Sequence, residues 1–120
     1  MLKTYQALIR LASGEFGDIV VDATFVGGTV SSPNKLRLTF TDASFLDVWL
    51  SPDYDYAYHW ERRRQCGQMY RWDNAPHHPH VSTFPAHFHE GDEPSIVESH
   101  LATNPERALR EILAFVRQNL

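Results

Sequence analysis

The chain has a single cysteine, Cys66, among its 120 residues, so no intramolecular disulfide can form. A lone thiol in a turn beside Gly67 reads as a surface group, and it fits a reducing compartment. No apolar run approaches the ~20 residues that a helix needs to cross a bilayer. Met1-Leu2-Lys3-Thr4-Tyr5 lacks the ordered basic, apolar and cleavable parts of a signal peptide. The expectation is therefore a cytoplasmic protein with no membrane contact. Paired cysteines and a His-Glu-x-x-His helix are both missing, which removes the commonest local zinc signatures. There is no glycine-rich phosphate loop, since Gly27-Gly28 reads only as a turn. No order of serine, histidine and acid suits acyl transfer. Internal repeats, linkers and low-complexity stretches are absent as well, so residues 1–120 read as one domain.

Positive charge is scarce and unevenly placed. The formal net charge is −4, which argues against a general nucleic-acid binder. Residues 1–60 hold four basic and seven acidic side chains, and residues 73–103 hold five acids and no Lys or Arg. Between them, residues 61–72 carry Arg62, Arg63, Arg64 and Arg71 against Glu61 alone. One basic island thus stands in an acidic chain. Arg62–Arg64 by themselves suit a solvated hairpin turn.

What the chain does have is histidine. Five of its seven histidines fall in residues 71–90, with three of its seven prolines and one of its three tryptophans. The stretch runs Arg71-Trp72-Asp73-Asn74-Ala75-Pro76-His77-His78-Pro79-His80 and continues to Phe84-Pro85-Ala86-His87-Phe88-His89-Glu90. Imidazole titrates near neutral pH and is the commonest metal ligand. Proline fixes the backbone between the rings. Such a loop is an odd thing to build for packing alone.

Around it, apolar periodicity predicts an α+β domain. Leu2, Tyr5, Leu8, Ile9 and Ala12 recur at helical spacing and predict a helix over 2–12, ended by Ser13-Gly14. Asp18–Val26 alternates, with Ile19, Val21, Ala23 and Phe25 on one face. Leu36, Leu38 and Phe40 mark a second strand, and Phe45–Leu50 a third. Tyr54, Tyr56, Tyr58 and Trp60 share one face of a fourth. Gln68–Asp73 is a fifth, and a sixth short strand is expected near Val81–Phe84 or Ser95–Ser99. Asn104, Pro105 and Glu106 open a last helix with the apolar stripe Leu109, Ile112, Leu113, Val116 and Leu120. The expected architecture is an antiparallel meander of five to six strands, with an N-terminal and a C-terminal helix packed on one face.

Pairing decides which polar groups meet. If the Arg63–Gly67 turn centres near Gln65, His59 lies opposite Arg71 and Trp60 opposite Tyr70. A slip of one residue would split the aromatics between faces, which a half-buried sheet resists. His59, Arg71 and Asp73 should then project away from the Tyr/Trp layer.

Three kinds of chemistry suit these residues. RNA supplies its own nucleophile, so its cleavage needs a base, an acid and a cation on the phosphate. His59, His77, His78, His87 and His89 are candidates for base and acid. Arg71 is the candidate phosphate ligand, and Asp73 would orient an imidazole. Arg62, Arg63, Asn74 and Trp72 are candidates for substrate contact. Alternatively, His87-x-His89 joined by His77, His78 or His80 could hold zinc or another divalent metal, with Glu90 as ligand or base. The metal candidates in the block of residues 71–90 are above all His78, His87 and His89; no cofactor is otherwise expected. The third kind is structural. Asn74 suits an Asx turn, Trp60 and Trp72 suit a core, and the loop could dock a partner without catalysis.

Tyr56-x-Tyr58-His59-Trp60, Arg71-Trp72-Asp73-Asn74-Ala75-Pro76-His77-His78 and Thr83-Phe84-Pro85-x-His87-x-His89 together resemble the signature of the TumE-type toxin family. The resemblance implies a toxin of a type II toxin–antitoxin module that acts on RNA. It also implies a partner, a cognate helix-turn-helix antitoxin. A homodimer is a further candidate assembly. The family's motif positions here are His59, Arg71, Asp73, Asn74, His77, His78, His87 and His89. Between the last two histidines the family commonly carries a basic residue, and this chain has Phe88.

Overall fold

The structure is a computed structural model that describes residues 1–120. Its elements are α1 (Leu2–Glu15), β1 (Val20–Gly28), β2 (Pro33–Phe40), β3 (Phe45–Leu50), β4 (Tyr56–Arg62), α2 (Arg63–Cys66), β5 (Gln68–Asp73), β6 (His87–Gly91), β7 (Ile96–Glu98) and α3 (Pro105–Asn119). The seven strands form one antiparallel sheet in the order β1 to β7. The meander is thus two strands longer than its five clear sequence runs, and the expected α+β layering holds.

The apolar alternation sorts the sheet into two faces. Leu36, Val48, Tyr58, Trp72 and Phe88 form one cross-strand row, and Leu38, Leu46, Trp60 and Tyr70 the next. Both rows are buried in one cluster with Tyr5, Leu8 and Leu11 of α1 and Leu109, Ile112, Leu113 and Val116 of α3. Phe115 of α3 stands edge-on to Trp60, Tyr70, Trp72 and Phe88, at centroid distances of 5.1–6.1 Å. Edge-to-face contact suits the ring quadrupoles and adds to the burial itself. The Tyr5 hydroxyl ties α1 to the sheet: it donates to the Asn34 carbonyl at 2.9 Å and accepts the Leu50 N–H at 3.0 Å. Asn104 caps α3 by accepting the Arg107 N–H, with Pro105 at the first helical position.

Four local expectations are corrected. The first helix continues past Ser13-Gly14 to Glu15. The buried Phe16 just beyond it and the Arg110–Glu15 ion pair to α3 outweigh the poor helix propensity of Gly14. In β1 the register shifts between Val20 and Asp22, so Val21 is exposed rather than aligned with Ala23 and Phe25. Tyr54 does not share the face of Tyr56, Tyr58 and Trp60. It sits at φ 67° in the β3–β4 turn and is 89% exposed. Of the two places expected for a further strand, residues 81–84 form turns, while β7 lies within Ser95–Ser99 as expected; the strand the sequence reading lacked is β6. The turn before β5 is one helical turn, α2, closed by Gly67 at φ 78°, a backbone region open to glycine without strain. No helix is long and apolar enough to cross a membrane.

Candidate functional site

The face away from the helices carries a polar row. Asp47 lies opposite His59, His59 opposite Arg71 and Arg71 opposite His89. One step along, Ala57 lies opposite Asp73 and Asp73 opposite His87. The period of two along each strand puts His87 and His89 on the same side as Arg71 and Asp73. The loop 74–86 then folds back over this face. It is tied down by Ser82 Oγ donating to Glu98 at 2.7 Å and by the Ser99 N–H donating to Thr83 Oγ1 at 2.9 Å. Its return brings His78 over the two strand histidines, with ring centroids 4.6 Å from His87 and 5.8 Å from His89.

The result is a cleft of about 580 Å³ whose walls include Trp49, Asp55, Arg71, Asp73, His77 and Glu93. Within it, one ligand atom each from His78, His87 and His89 lies within 4.8 Å of the others. His87 and His89 are buried. Nδ1 of His87 is 2.9 Å from the Pro85 carbonyl, and Nδ1 of His89 is 2.8 Å from the Glu93 carbonyl. A carbonyl only accepts, so each Nδ1 carries the hydrogen and each Nε2 is left to face the cleft. This is the usual way a protein sets the tautomer of a metal-ligating histidine. The two Nε2 atoms lie 3.1 and 3.6 Å from the Asp73 carboxylate. In the neutral tautomer these are lone pairs against lone pairs, so the arrangement calls for a proton or a cation between them. The donor set of three imidazoles with an adjacent carboxylate fits zinc or a similar divalent ion.

His78 makes no tie to the backbone through its ring. Loss of solvation against the cleft wall, then the neighbouring His87, His89 and His80 rings, push its pKa below the usual imidazole value, against the pull of Asp73. That shift favours the neutral form, in which a ring nitrogen is free to act as a ligand. Arg71 is held differently. Its two Nη atoms donate to Glu93 at 2.8 and 2.6 Å, and its Nε donates to Asp73 at 3.2 Å. Nη1 also lies 3.3 Å from His59 Nδ1, and Nη2 lies 3.5 Å from His89 Nε2. The Glu93 hydrogen bonds, first of all, raise the guanidinium pKa and lower that of Glu93. On its far side His59 binds Glu61 through Nε2 at 3.0 Å.

The structure therefore gathers His78, His87, His89, Arg71, Asp73 and His59, while His77 lines the cleft outside the three-histidine set. The expected substrate contacts fare otherwise. Trp72 faces the helices, stacked on Phe88 at 4.6 Å, and is core. Arg62 lies over the Trp60 ring and donates to the Asn119 carbonyl, which places it on the helix side. Arg63 is paired with Glu61 away from the cleft lining. Asn74 lines the cleft, yet its side chain is spent on Tyr56 N–H and the Tyr54 carbonyl. The Asx turn belongs to Asp73, which accepts the Ala75 N–H at 2.9 Å. Glu90 pairs with Tyr70 on the other face, so it is not a ligand of this site. Phe88 likewise faces the core, so a basic residue at that position would not reach the cleft. Sequence reasoning missed Glu93, because no local pattern ties the Asp92-Glu93-Pro94 turn to an arginine on the neighbouring strand β5.

The profile of the family described as Toxin TumE matches residues 8–120. The chain belongs to the Toxin TumE family. Comparison with curated proteins and with solved structures gave no match. Membership of a toxin family implies a cognate antitoxin as partner, and the three converging histidines His78, His87 and His89 lie within the matched residues.

Proposed function

We propose that this TumE-family toxin cleaves RNA at the three-histidine cleft. His78, His87 and His89 would hold a divalent metal, and Arg71 would receive the phosphate. The observation that carries the reading is the pair of buried histidines whose Nδ1 atoms are spent on backbone carbonyls beside a third imidazole, that of His78. A bound divalent ion acts as a Lewis acid on a phosphoryl oxygen and lowers the pKa of bound water. The chain's own groups do the rest. Asp73 fixes Arg71 from the side and faces both Nε2 atoms. Arg71 offers a planar fork suited to two phosphate oxygens, a role in which Glu93 now stands. The acidic chain limits non-specific affinity, so recognition falls to the cleft itself. A helix-turn-helix antitoxin, encoded beside the toxin, would neutralise it in the cytoplasm.

Induced expression tests this, with the wild type beside His78→Ala and total RNA examined on a gel. Growth arrest with RNA fragments from the wild type alone supports the reading. Purified protein that cleaves RNA equally well in a chelator and after metal is restored would leave acid–base chemistry by the imidazoles as the mechanism. Intact RNA under both conditions would mark the loop as a binding module.

A further inference from the structure

A second cavity, of about 710 Å³, opens at the same end of the sheet, on the helix side. Its walls include Pro52, Tyr54, Tyr56, Tyr58, Asn104 and Pro105. It adjoins the histidine cleft, since Asp55, Tyr56 and Asn74 line both. We propose that this cavity is a nucleobase subsite, which takes the base next to the phosphate held at the histidines. The proposal rests on the reading of the cleft as a site for RNA.

Several observations converge on an uncharged, flat, hydrogen-bonding occupant. Tyr58 is 98% buried by its 2% relative exposure, yet its hydroxyl engages no protein group. The hydroxyl itself is not sealed off by protein, so it opens onto the cavity, free to bond an occupant. The Tyr56 hydroxyl is unpaired in the same way. Burial raises the pKa of both phenols, so both keep their protons and can donate. No Lys or Arg side chain lines the cavity, and Asp55 is its one charged side chain, beside Met1. With no basic side chain in the wall, the Asp55 carboxylate suits the N–H edge of a base. Tyr54 adds a ring at the mouth. Its backbone is fixed by the Asn74 amide donating to its carbonyl at 3.1 Å, while its side chain stays exposed. Such a ring suits stacking, which tolerates every base. Asp55, Tyr56 and Asn74, at the adjoining ends of β4 and β5, form the rim between the two cavities that an RNA backbone would cross.

The test uses adenosine, guanosine, cytidine and uridine as probes, none of which carries a phosphate. Binding is followed by amide chemical shifts in the full-length wild type, Tyr58→Phe and Tyr54→Ala. At least one nucleoside should shift the amide signals of residues 53–56 and 102–104. Tyr58→Phe should weaken it by about three- to tenfold, as expected for one neutral hydrogen bond. Tyr54→Ala should weaken it by about tenfold or more, as expected for a lost stacking platform. Because Tyr58→Phe removes a hydroxyl with no protein partner, its fold should be retained. The absence of any shift at these signals with all four nucleosides overturns the subsite, as does equal affinity in Tyr58→Phe. Nucleoside binding without RNA cleavage would uphold the subsite and remove the nuclease reading. RNA cleavage that is unaffected by Tyr58→Phe, without nucleoside binding, would do the reverse.

Discussion

Glu93 grips Arg71 from both Nη atoms, at 2.8 and 2.6 Å, in the two-pronged geometry that a phosphate would need. Arg71 is also pinned by Asp73, and Glu93 offers its own carbonyl to His89. The carboxylate thus occupies the place proposed above for the phosphate.

This pair yields the first prediction. Glu93→Gln should tighten binding of a short RNA oligonucleotide by about two- to fivefold. The Glu93 side chain is half exposed, and exposed ion pairs are worth about 0.2–1 kcal/mol. Arg71→Ala should abolish toxicity while the protein still melts cooperatively. Filter binding and growth curves read both. Weaker binding by Glu93→Gln, or full growth arrest by Arg71→Ala, would remove the phosphate role.

The three-histidine set makes the second. Zinc should raise the melting temperature of the wild type by several degrees, since a ligand that binds only the native state stabilises it by mass action. His77→Ala should keep this response, because His77 is exposed and outside the set. His78→Ala should lose most of it. An equal zinc response in His78→Ala would exclude that residue as a ligand.

The third concerns Trp72. It is stacked on Phe88 with Phe115 edge-on at 5.5 Å, so it is a core residue. Trp72→Ala should cost about 3–5 kcal/mol in urea unfolding. Per folded molecule, RNA affinity should not change. A surface tryptophan that stacks a base would show the opposite pattern, with small stability loss and clear loss of affinity.

Glu61 carries the fourth. Its hydrogen bonds from Arg63, first, and then from His59 and the Arg63 N–H lower its pKa from about 4.5 to about 2. Between those values the unfolded chain binds the proton and the folded one does not, so stability falls as pH falls through that window. The contribution is fully present above about 4.5 and lost towards about 2. Glu61→Gln should therefore flatten the acid side of the stability–pH curve between pH 4.5 and 2, measured by urea unfolding. An unchanged slope would mean that the ion pair does not persist in solution.

The strands β2 to β5 and the helix α3 were legible from sequence because their signals are local. Alternation of period two marks each strand, a compact turn sets the hairpin, and Asn104-Pro105 opens the helix. From the β4–β5 register followed the pairing of His59 with Arg71, since a slip would have exposed the tryptophans. The histidine loop itself stood out by composition alone.

What the residues by themselves determined is thus the list of chemical groups and the face on which His59, Arg71 and Asp73 stand. Tertiary structure decided which of the groups meet. The β6 strand pairs with β5 in a register that sends His87 and His89 outward and Phe88 into the core. The loop's return sets His78 above them, and the β6–β7 turn delivers Glu93 to an arginine 22 residues earlier. Arg62, Trp72 and Asn74 were lost to the site by the same packing, each spent on a core ring or a backbone group. Such contacts join distant segments through burial and hydrogen bonding, and no periodicity within a window of a few residues encodes them.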